Sequence, residues 1–296
     1  MSKYEIGYEK FSKFIHETDL IPKNKTKIII AYSGGKDASV MCDFLCEYKK
    51  KERPDLSLEM ITAGFPTFLY EPSNPTTFKL FVEALSYWEK RGITHTHIKA
   101  KEEQRNIRLT DYPNPCRYCS KAKTIILADY VRKKQNHNSI FAIGMNLDDS
   151  IGWFLEIELI AANLGTAQNI KENYPDLYHE IAMIATRTIH KVYDSAHDIL
   201  FTRPMIDFNN QEITEICKER GLPLVPENCR EITKKDTFYD SPRRDIAQAL
   251  SCIRLRYNTQ DTIYNKYLDA FHYYQKCEFF PTQKELEDIM SKNLLI

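Results

Sequence analysis

The chain has 296 residues, of which 43% are hydrophobic and 28% are charged. This composition and length are typical of a globular protein with a sizeable core, built as one large domain or two small ones. The 41 basic and 41 acidic residues give a net charge of zero. A dedicated nucleic-acid binder usually has an excess of Lys and Arg, so neutrality weighs against a large RNA partner, although a local basic patch stays compatible with it.

The N-terminal sequence MSKYEIGYEKFSKF lacks the apolar core of a signal peptide, and the chain has no run of about 18 apolar residues. We therefore expect a soluble, cytoplasmic protein with no membrane partner. In that compartment the eight cysteines are expected to be reduced thiols or metal ligands rather than disulfides.

Strand and helix patterns alternate along the first two thirds of the chain. Strands are predicted over 27–32, 56–63, 94–100, 139–144 and 199–204, and helices over 1–20, 38–48, 77–91, 121–134, 149–163, 179–188 and 210–220. A polar stretch is predicted over 165–178, and a helical tail rich in Tyr over 241–295. This alternation with short connections predicts an α/β fold with a parallel sheet covered by helices on both faces. We divide the chain into an N-terminal helix (1–24), an α/β domain (25–208) and a helical C-terminal region (209–296).

The first strand runs into a glycine-containing loop, in the sequence IIIAYSGGKDASVMC from Ile28 to Cys42. Gly34 and Gly35 let a phosphate approach the backbone, and the following helix offers unpaired N–H groups and the positive end of its dipole. Lys36 adds a cation, and Asp37 is a candidate ligand for Mg²⁺. The spacing matches neither a Walker A loop nor a GxGxxG fingerprint. The alternative is an ordinary glycine turn between a strand and a helix.

The fourth predicted strand ends in a second motif, IFAIGMNLDDS, which contains Gly144, Asp148 and Asp149. Beside a triphosphate, these two aspartates are candidates for binding Mg²⁺ or polarising an acceptor. The alternative is a helix N-terminus at which acidic residues are favoured by the dipole.

Cys116 and Cys119 form a C-x-x-C pair just before a predicted helix, and Cys229 is a third candidate ligand. The pair alone is compatible with zinc, a redox pair, an iron–sulfur site or chance. A structural zinc normally has four protein ligands, and the lack of a second C-x-x-C disfavours it. The remaining cysteines are predicted to be small core residues: Cys42, Cys46, Cys217, Cys252 and Cys277.

The S-G-G-K-D segment after a hydrophobic strand resembles the PP-loop of the ATP pyrophosphatase superfamily. The order of PP-loop, C-x-x-C, G-M-N-L-D-D, R-P and a third cysteine is similar to TtcA-type (tRNA 2-thiocytidine synthetase) enzymes, over about Lys25 to Ala270. The resemblance implies an adenine nucleotide alpha hydrolase-like domain that cleaves ATP between its α and β phosphates and leaves AMP on a carbonyl oxygen. It also implies a [4Fe-4S] cluster held by three cysteines, with the fourth iron open to sulfide.

The chain departs from that pattern at several positions. Ala38 stands where the PP-loop usually has a serine, which comes one residue later at Ser39, and Met145 replaces the usual histidine of the second motif. The family often has an Arg-Arg pair shortly after the C-x-x-C, and here Lys121 and Lys123 stand nearby instead. The segment 163–197 is also longer than the family's usual connection.

The resemblance assigns residues to three roles. The nucleotide site is assigned Ser33, Gly34, Gly35, Lys36, Asp37, Ser39, Ala63, Gly144 and Asp148. The catalytic residues are assigned as Cys116, Cys119, Cys229, Asp37 and Asp149, and the same three cysteines are the metal ligands. The cofactors are ATP, Mg²⁺ and a [4Fe-4S] cluster, and the sulfur donor is sulfide or a cysteine-desulfurase persulfide. This chemistry requires the cysteines to face the PP-loop across the C-terminal edge of the sheet.

The sequence leaves two kinds of substrate open, and it leaves open whether the protein forms a homodimer. A tRNA, thiolated as in 2-thiocytidine, needs a basic surface, and the candidates for it are Lys121, Lys123, Arg132, Lys133 and Lys134 on one predicted helix, with further Lys and Arg residues in the tail. The alternative substrate is a small nucleobase, nucleotide or metabolite that becomes a thioamide or thione. Adenylating ligases or amidotransferases of the PP-loop type, which use no sulfur, are the rival class of enzyme, and an AMP-sensing module is the non-enzymatic reading.

Overall fold

A computed structural model describes residues 1–65, 75–100, 115–164, 167–226 and 283–291 of the chain. The strands are β1 (Lys27–Ala31), β2 (Ser57–Gly64), β3 (Thr94–Lys99), β4 (Ser139–Ile143), β5 (Lys191–Asp194) and β6 (Ile199–Thr202). The α-helices of this part of the chain are α1 (Lys3–Thr18), α2 (Lys36–Lys51), α3 (Pro75–Glu89), α4 (Pro115–Val131), α5 (Leu147–Leu164), α6 (Ala167–Asn173), α7 (Pro175–Ala185), α8 (Asn210–Arg220) and α9 (Gln283–Ser291). None of the described helices is long and apolar enough to cross a membrane.

The six strands form one sheet in the order β3-β2-β1-β4-β6-β5. β1 pairs in parallel with β2 on one side and with β4 on the other, so the strand order reverses beside β1. The predicted α/β fold is confirmed, with one exception: β5 is antiparallel to β6 at the edge of the sheet. The KVYD segment of β5 is only four residues long, too short for an alternating pattern to be recognised in the sequence.

Each face of the sheet has its own core, because successive side chains of a strand point to opposite faces. Ile28 and Ile30 of β1 belong to one cluster, which contains residues of α1, α2, α3 and α8. Ile29 belongs to the other cluster, which contains residues of α4, α5, α7 and Leu286 of α9. The all-apolar run of β1 is therefore explained by burial on both faces.

Helix ends follow local capping signals. Ser2 and Glu5 form a capping box at the start of α1, and Asn209 and Glu212 form another at the start of α8. α8 ends at Gly221, which has a φ of 57° in the left-handed region. The buried carboxylate of Asp43 on α2 accepts hydrogen bonds from Arg91, which follows α3, and from Arg220 of α8. These bonds link the three helices α2, α3 and α8 on one face of the sheet.

Two boundaries were predicted wrongly. α4 begins at Pro115 and not at 121, because proline is well suited to the first turn of a helix; the C-x-x-C pair therefore lies within the helix and not before it. The stretch 165–178 was predicted to be a polar segment followed by a helix from 179, whereas α6 lies within this stretch and α7 begins at Pro175. Most of the predicted helical tail lies outside the described residues, apart from α9. The division into three domains stays a prediction, and α1 shares the core cluster of the sheet.

Candidate active site

The loops after β1 and β4 leave the sheet at the point where the strand order reverses. In open α/β sheets this reversal opens a crevice at the carboxyl ends of the strands, and ligands bind there. The S-G-G-K-D loop and the G-M-N-L-D-D motif therefore meet at one location, as the sheet topology requires.

The backbone of the first loop has the shape expected of a phosphate-binding turn. Gly34 has a φ of 80°, a conformation that favours glycine, and Gly35 is the N-cap of α2. Within the described structure α2 has no side-chain cap, and the N–H of Gly35 donates to Ser33 Oγ at 3.3 Å. The N–H groups of the first turn of α2 are thus directed to the C-terminal edge of the sheet, where an anion is favoured.

The side chains of Lys36 and Asp37 form an ion pair in the first turn of α2. Lys36 Nζ lies 2.9 Å from both Asp37 Oδ1 and Asp37 Oδ2, and about a quarter of each side chain is exposed. Asn146 Nδ2, from the second motif, donates to Asp37 Oδ1 at 2.8 Å. The two motifs are therefore joined by a direct contact between a cation, a carboxylate and an amide.

Gly144 allows β4 to approach the start of α2. A Cβ atom at this position would lie 3.0 Å from the Ala38 nitrogen, 3.1 Å from Ala38 Cα and 3.2 Å from the Asp37 carbonyl carbon. All three are backbone atoms, which cannot move aside as a flexible side chain can. The role visible at Gly144 is close packing between the two motifs.

Two side chains that were assigned to the nucleotide site face other parts of the protein. Ser39 is fully buried, and its hydroxyl donates to the carbonyl of Pro223 at 3.3 Å. Asp148 is buried, and its Oδ2 accepts from the N–H of Asn210 at the start of α8 at 2.7 Å. In the structure both residues hold the site against the region around α8.

Asp149 is bonded to Asn146, the residue of the second motif that contacts Asp37. Its N–H donates to Asn146 Oδ1 at 3.0 Å, so Asn146 is the N-cap of α5 and Asp149 is in the first turn. The Asp149 side chain is half-buried.

A network of hydrogen bonds between buried polar groups begins at Tyr32, the residue that precedes the loop. The Thr62 hydroxyl donates to the carbonyl of Tyr32, and Trp88 Nε1 donates to the Tyr32 hydroxyl at 3.0 Å. His95 Nε2 lies 3.1 Å from Thr62 Oγ1. Burial, together with the smaller effect of the neighbouring His97, lowers the pKa of His95 to about 4, so the imidazole is neutral near pH 7.

The C-x-x-C pair lies at the same edge of the sheet as the loop. Cys119, which is half-buried, packs against a cluster that contains Ala63, Phe65 and Ala100 at the ends of β2 and β3. Farther along α4, the Tyr130 hydroxyl donates to Glu59 Oε1 near the start of β2, so α4 runs antiparallel to that strand. Its first turn, with Cys116 and Cys119, therefore lies at the C-terminal edge.

The third candidate ligand, Cys229, lies outside the described residues. Among the residues that the structure describes, no group of three or more His, Cys, Asp or Glu side chains is arranged to hold a metal ion. Cys42 and Cys217 are buried, as predicted for core cysteines, and burial raises the pKa of both thiols. Burial also raises the pKa of the half-buried Cys46 thiol to about 11, whereas Cys252 and Cys277 lie outside the described residues.

The basic residues that were predicted to share one helix divide between two edges of the sheet. α4 ends at Val131, so Arg132, Lys133 and Lys134 follow the helix at the opposite edge from the loop. Arg132 Nε lies 2.9 Å from Asp194 Oδ2 in a largely buried ion pair. Of the five candidates, Lys121 and Lys123 belong to the part of α4 nearer the C-terminal edge.

Two contributions were not recognised in the sequence. The first is Asn146, although an Asn before L-D-D at the end of a strand is itself a helix N-cap signal. The second is the segment after α8, in which the N–H of Val225 donates to the carbonyl of Gly34 at 2.9 Å. Nothing in the local pattern of L-P-L-V indicates that contact.

Comparison with known proteins finds a match in fold but none in sequence. No protein-family profile and no curated protein matches the sequence. Among solved structures, the chain is similar to the U34-tRNA thiolase NcsA from Methanococcus maripaludis, solved with its [4Fe-4S] cluster, with 18% identity and a TM-score of 0.59 over 91% of this chain and 80% of that one. The likeness shows that this chain has the fold of that thiolase.

Proposed function

We propose that the protein is an ATP-dependent sulfurtransferase that adenylates a carbonyl oxygen of a nucleobase and replaces that oxygen with sulfur. The observation on which this rests is a spatial one. The Lys36–Asp37–Asn146 contact lies at the carboxyl ends of β1 and β4. The C-x-x-C pair at the start of α4 lies at the same edge of the sheet, beside the end of β2, which pairs with β1.

The loop supplies the groups that a triphosphate needs. The backbone at Gly34 and Gly35 and the start of α2 bind the β and γ phosphates, and Lys36 adds a positive charge. Asp37 and Asp149 are the ligands proposed for Mg²⁺, because carboxylate oxygens are its preferred protein ligands. Bound there, Mg²⁺ would offset the negative charge that the phosphates gather in the transition state.

ATP is required because an amide-like carbonyl oxygen is a poor leaving group. The acceptor oxygen attacks the α phosphorus, the bond to the β phosphate breaks, and diphosphate leaves. Sulfide then attacks the carbon, the C–O bond breaks, and the oxygen departs with AMP. A persulfide donor would also need a second cysteine thiol to break its S–S bond, and an external thiol to reduce the disulfide that this leaves. The protein's part is to align the acceptor with the α phosphate and to hold sulfur on the opposite side.

The cysteines are proposed to hold a [4Fe-4S] cluster, which would present sulfide at an open iron. Cys116 and Cys119 are three residues apart at the N-terminal end of α4, where the helix dipole stabilises thiolates. Cys229, which follows Val225 by four residues in the sequence, is proposed as the third ligand. The thiolase with the same fold was solved with such a cluster.

A tRNA is the proposed substrate, with 2-thiocytidine-like thiolation as the expected product. The similar solved structure is a thiolase of tRNA. A small nucleobase, nucleotide or metabolite is the second candidate, favoured by the net charge of zero and by the position of Arg132 to Lys134 away from the loop.

The test begins with anaerobic purification of the wild-type protein and a Cys229→Ser variant, and with measurement of iron, sulfide and the visible spectrum. About four irons per chain, lost in the variant, are expected. Assays with ATP, sulfide and either tRNA or free nucleobases then follow AMP, diphosphate and the thiolated product. A colourless protein that stays iron-free after reconstitution, yet forms AMP and diphosphate with an amine acceptor, would refute sulfur transfer and indicate an adenylating ligase.

A further inference from the structure

Asn146 uses both ends of its side-chain amide, and the two contacts fix its orientation. Its Oδ1 accepts from the N–H of Asp149 at 3.0 Å, and its Nδ2 donates to Asp37 Oδ1 at 2.8 Å. A main-chain N–H can only donate, so the oxygen must face α5 and the amino group must face Asp37. The residue is only 4% exposed, which leaves the amide little freedom to turn.

The Asp37 carboxylate has two kinds of partner. Lys36 Nζ contacts both of its oxygens, whereas Asn146 contacts Oδ1. Neighbouring residues of a helix do not normally face each other, so Lys36 must fold back to reach Asp37. A phosphate in the loop would compete for the same ammonium group, because it is a stronger and better-placed anion.

The two partners are therefore unequal once a nucleotide is bound. Lys36 is a flexible side chain that can turn from Asp37 to a phosphate. Asn146 is buried and fixed by the cap of α5, so its bond to Oδ1 persists. Asp37 Oδ2 then becomes available to a cation while the carboxylate keeps its orientation.

We propose that Asn146 is a positioning residue that holds the Asp37 carboxylate in place for Mg²⁺ when the phosphates draw Lys36 away. The inference rests on the proposed function, because it requires a nucleotide and Mg²⁺ at this loop. It adds a specific role for an amide that links the second motif to the first across 109 residues of sequence.

The test removes the bond to Asp37 and keeps the helix cap. Asn146→Ser retains a hydroxyl that can cap α5 but loses the amino group. Asn209→Ser is the matched control, because Asn209 caps α8 in the same way, with its Oδ1 accepting from the N–H of Glu212 at 2.9 Å, and is also buried. A cap that is merely structural would respond alike at both positions.

The measurement is calorimetric binding of α,β-methylene-ATP, which is not cleaved between the α and β phosphates, with and without Mg²⁺. We expect the enhancement of affinity by Mg²⁺ to fall about tenfold in Asn146→Ser, since a hydrogen bond to a charged group is lost. Affinity without Mg²⁺ is expected to change by less than about twofold, within the uncertainty of such contributions. Asn209→Ser is expected to show the wild-type enhancement.

A double-mutant cycle with Asp37→Asn separates positioning from general damage. In the Asp37→Asn background, Asn146→Ser is expected to cause no further loss of the Mg²⁺ enhancement. An enhancement in Asn146→Ser equal to that of the wild type, or a full further loss in the Asp37→Asn background, would overturn the inference alone. A wild-type protein that binds no nucleotide would overturn the proposed function along with it.

Discussion

Val225 packs against Gly34 with its side chain and also donates a backbone hydrogen bond to it. The N–H of Val225 donates to the Gly34 carbonyl at 2.9 Å, and a Cβ atom on Gly34 would lie 2.6 Å from Val225 Cβ. Because Ser39 also donates to the carbonyl of Pro223, the segment after α8 is held against the loop at two points. The shape of the proposed phosphate-binding turn thus depends on a segment almost two hundred residues away in sequence.

Gly34→Ala is expected to be destabilising for two separable reasons, and Gly92→Ala isolates one of them. Both glycines have a φ of 80°, but a Cβ on Gly92 meets nothing within 4 Å in the described structure. Urea denaturation should show a loss of about 1 kcal/mol for Gly92→Ala from backbone strain, and of about 2–4 kcal/mol for Gly34→Ala from strain and overpacking together. Equal losses would show that Val225 gives way without cost.

Gly144→Ala is expected to push β4 and α2 apart, because the new methyl group meets backbone atoms of Asp37 and Ala38. The expected loss is about 1–3 kcal/mol of unfolding free energy, together with weaker nucleotide binding. Gly35→Ala is the comparison: its Cβ would meet Ser33 Oγ at 3.3 Å, and its φ of −73° is unstrained. It should cost less than about 1 kcal/mol in stability yet impair nucleotide binding, since the methyl group lies on the loop. A larger stability loss in Gly35→Ala would contradict this assignment.

Asp207 is expected to make stability depend on pH. Burial raises the pKa of its carboxyl to about 6, with Glu212 and Glu17 acting in the same direction and Lys10 and Lys13 opposing. The folded state therefore binds a proton more readily than the unfolded state, so this residue's contribution to stability is full below about pH 4 and is lost as pH rises through 6. Relative to Asp207→Asn, the wild type should gain about 1–2 kcal/mol of unfolding free energy between pH 7 and pH 5. A constant difference between the two proteins across this range would show that the carboxyl is not perturbed.

Cys119→Ser is expected to abolish most of the iron bound after anaerobic reconstitution, because it removes one of three proposed thiolate ligands. Cys217→Ser is the matched control, since Cys217 is buried within α8 and burial raises the pKa of its thiol. Iron and sulfide analysis, with melting temperatures to confirm folding, distinguishes the two. Equal iron content in both variants would remove Cys119 from the proposed metal site.

The sequence alone determined the layout of this protein. The runs of β1 and β4, the alternation of strand and helix, and the glycines at the loop predict an α/β sheet with two motifs at its carboxyl edge, because hydrophobic period and turn chemistry are local properties. The same local signals misplaced the start of α4 and missed β5 and α6, which are short or polar and are fixed by packing.

Only the tertiary structure decided which polar groups of the two motifs meet. Asp148 and Ser39 were assigned to the nucleotide, yet they bond to Asn210 and to Pro223, whereas Asn146 was passed over and bonds to Asp37. Such pairings join residues far apart in the chain, and their geometry is set by how helices pack on a sheet rather than by the identity of neighbouring residues. A motif therefore brings its side chains to one edge of the sheet, and the packing around that edge determines the contact that each of them makes.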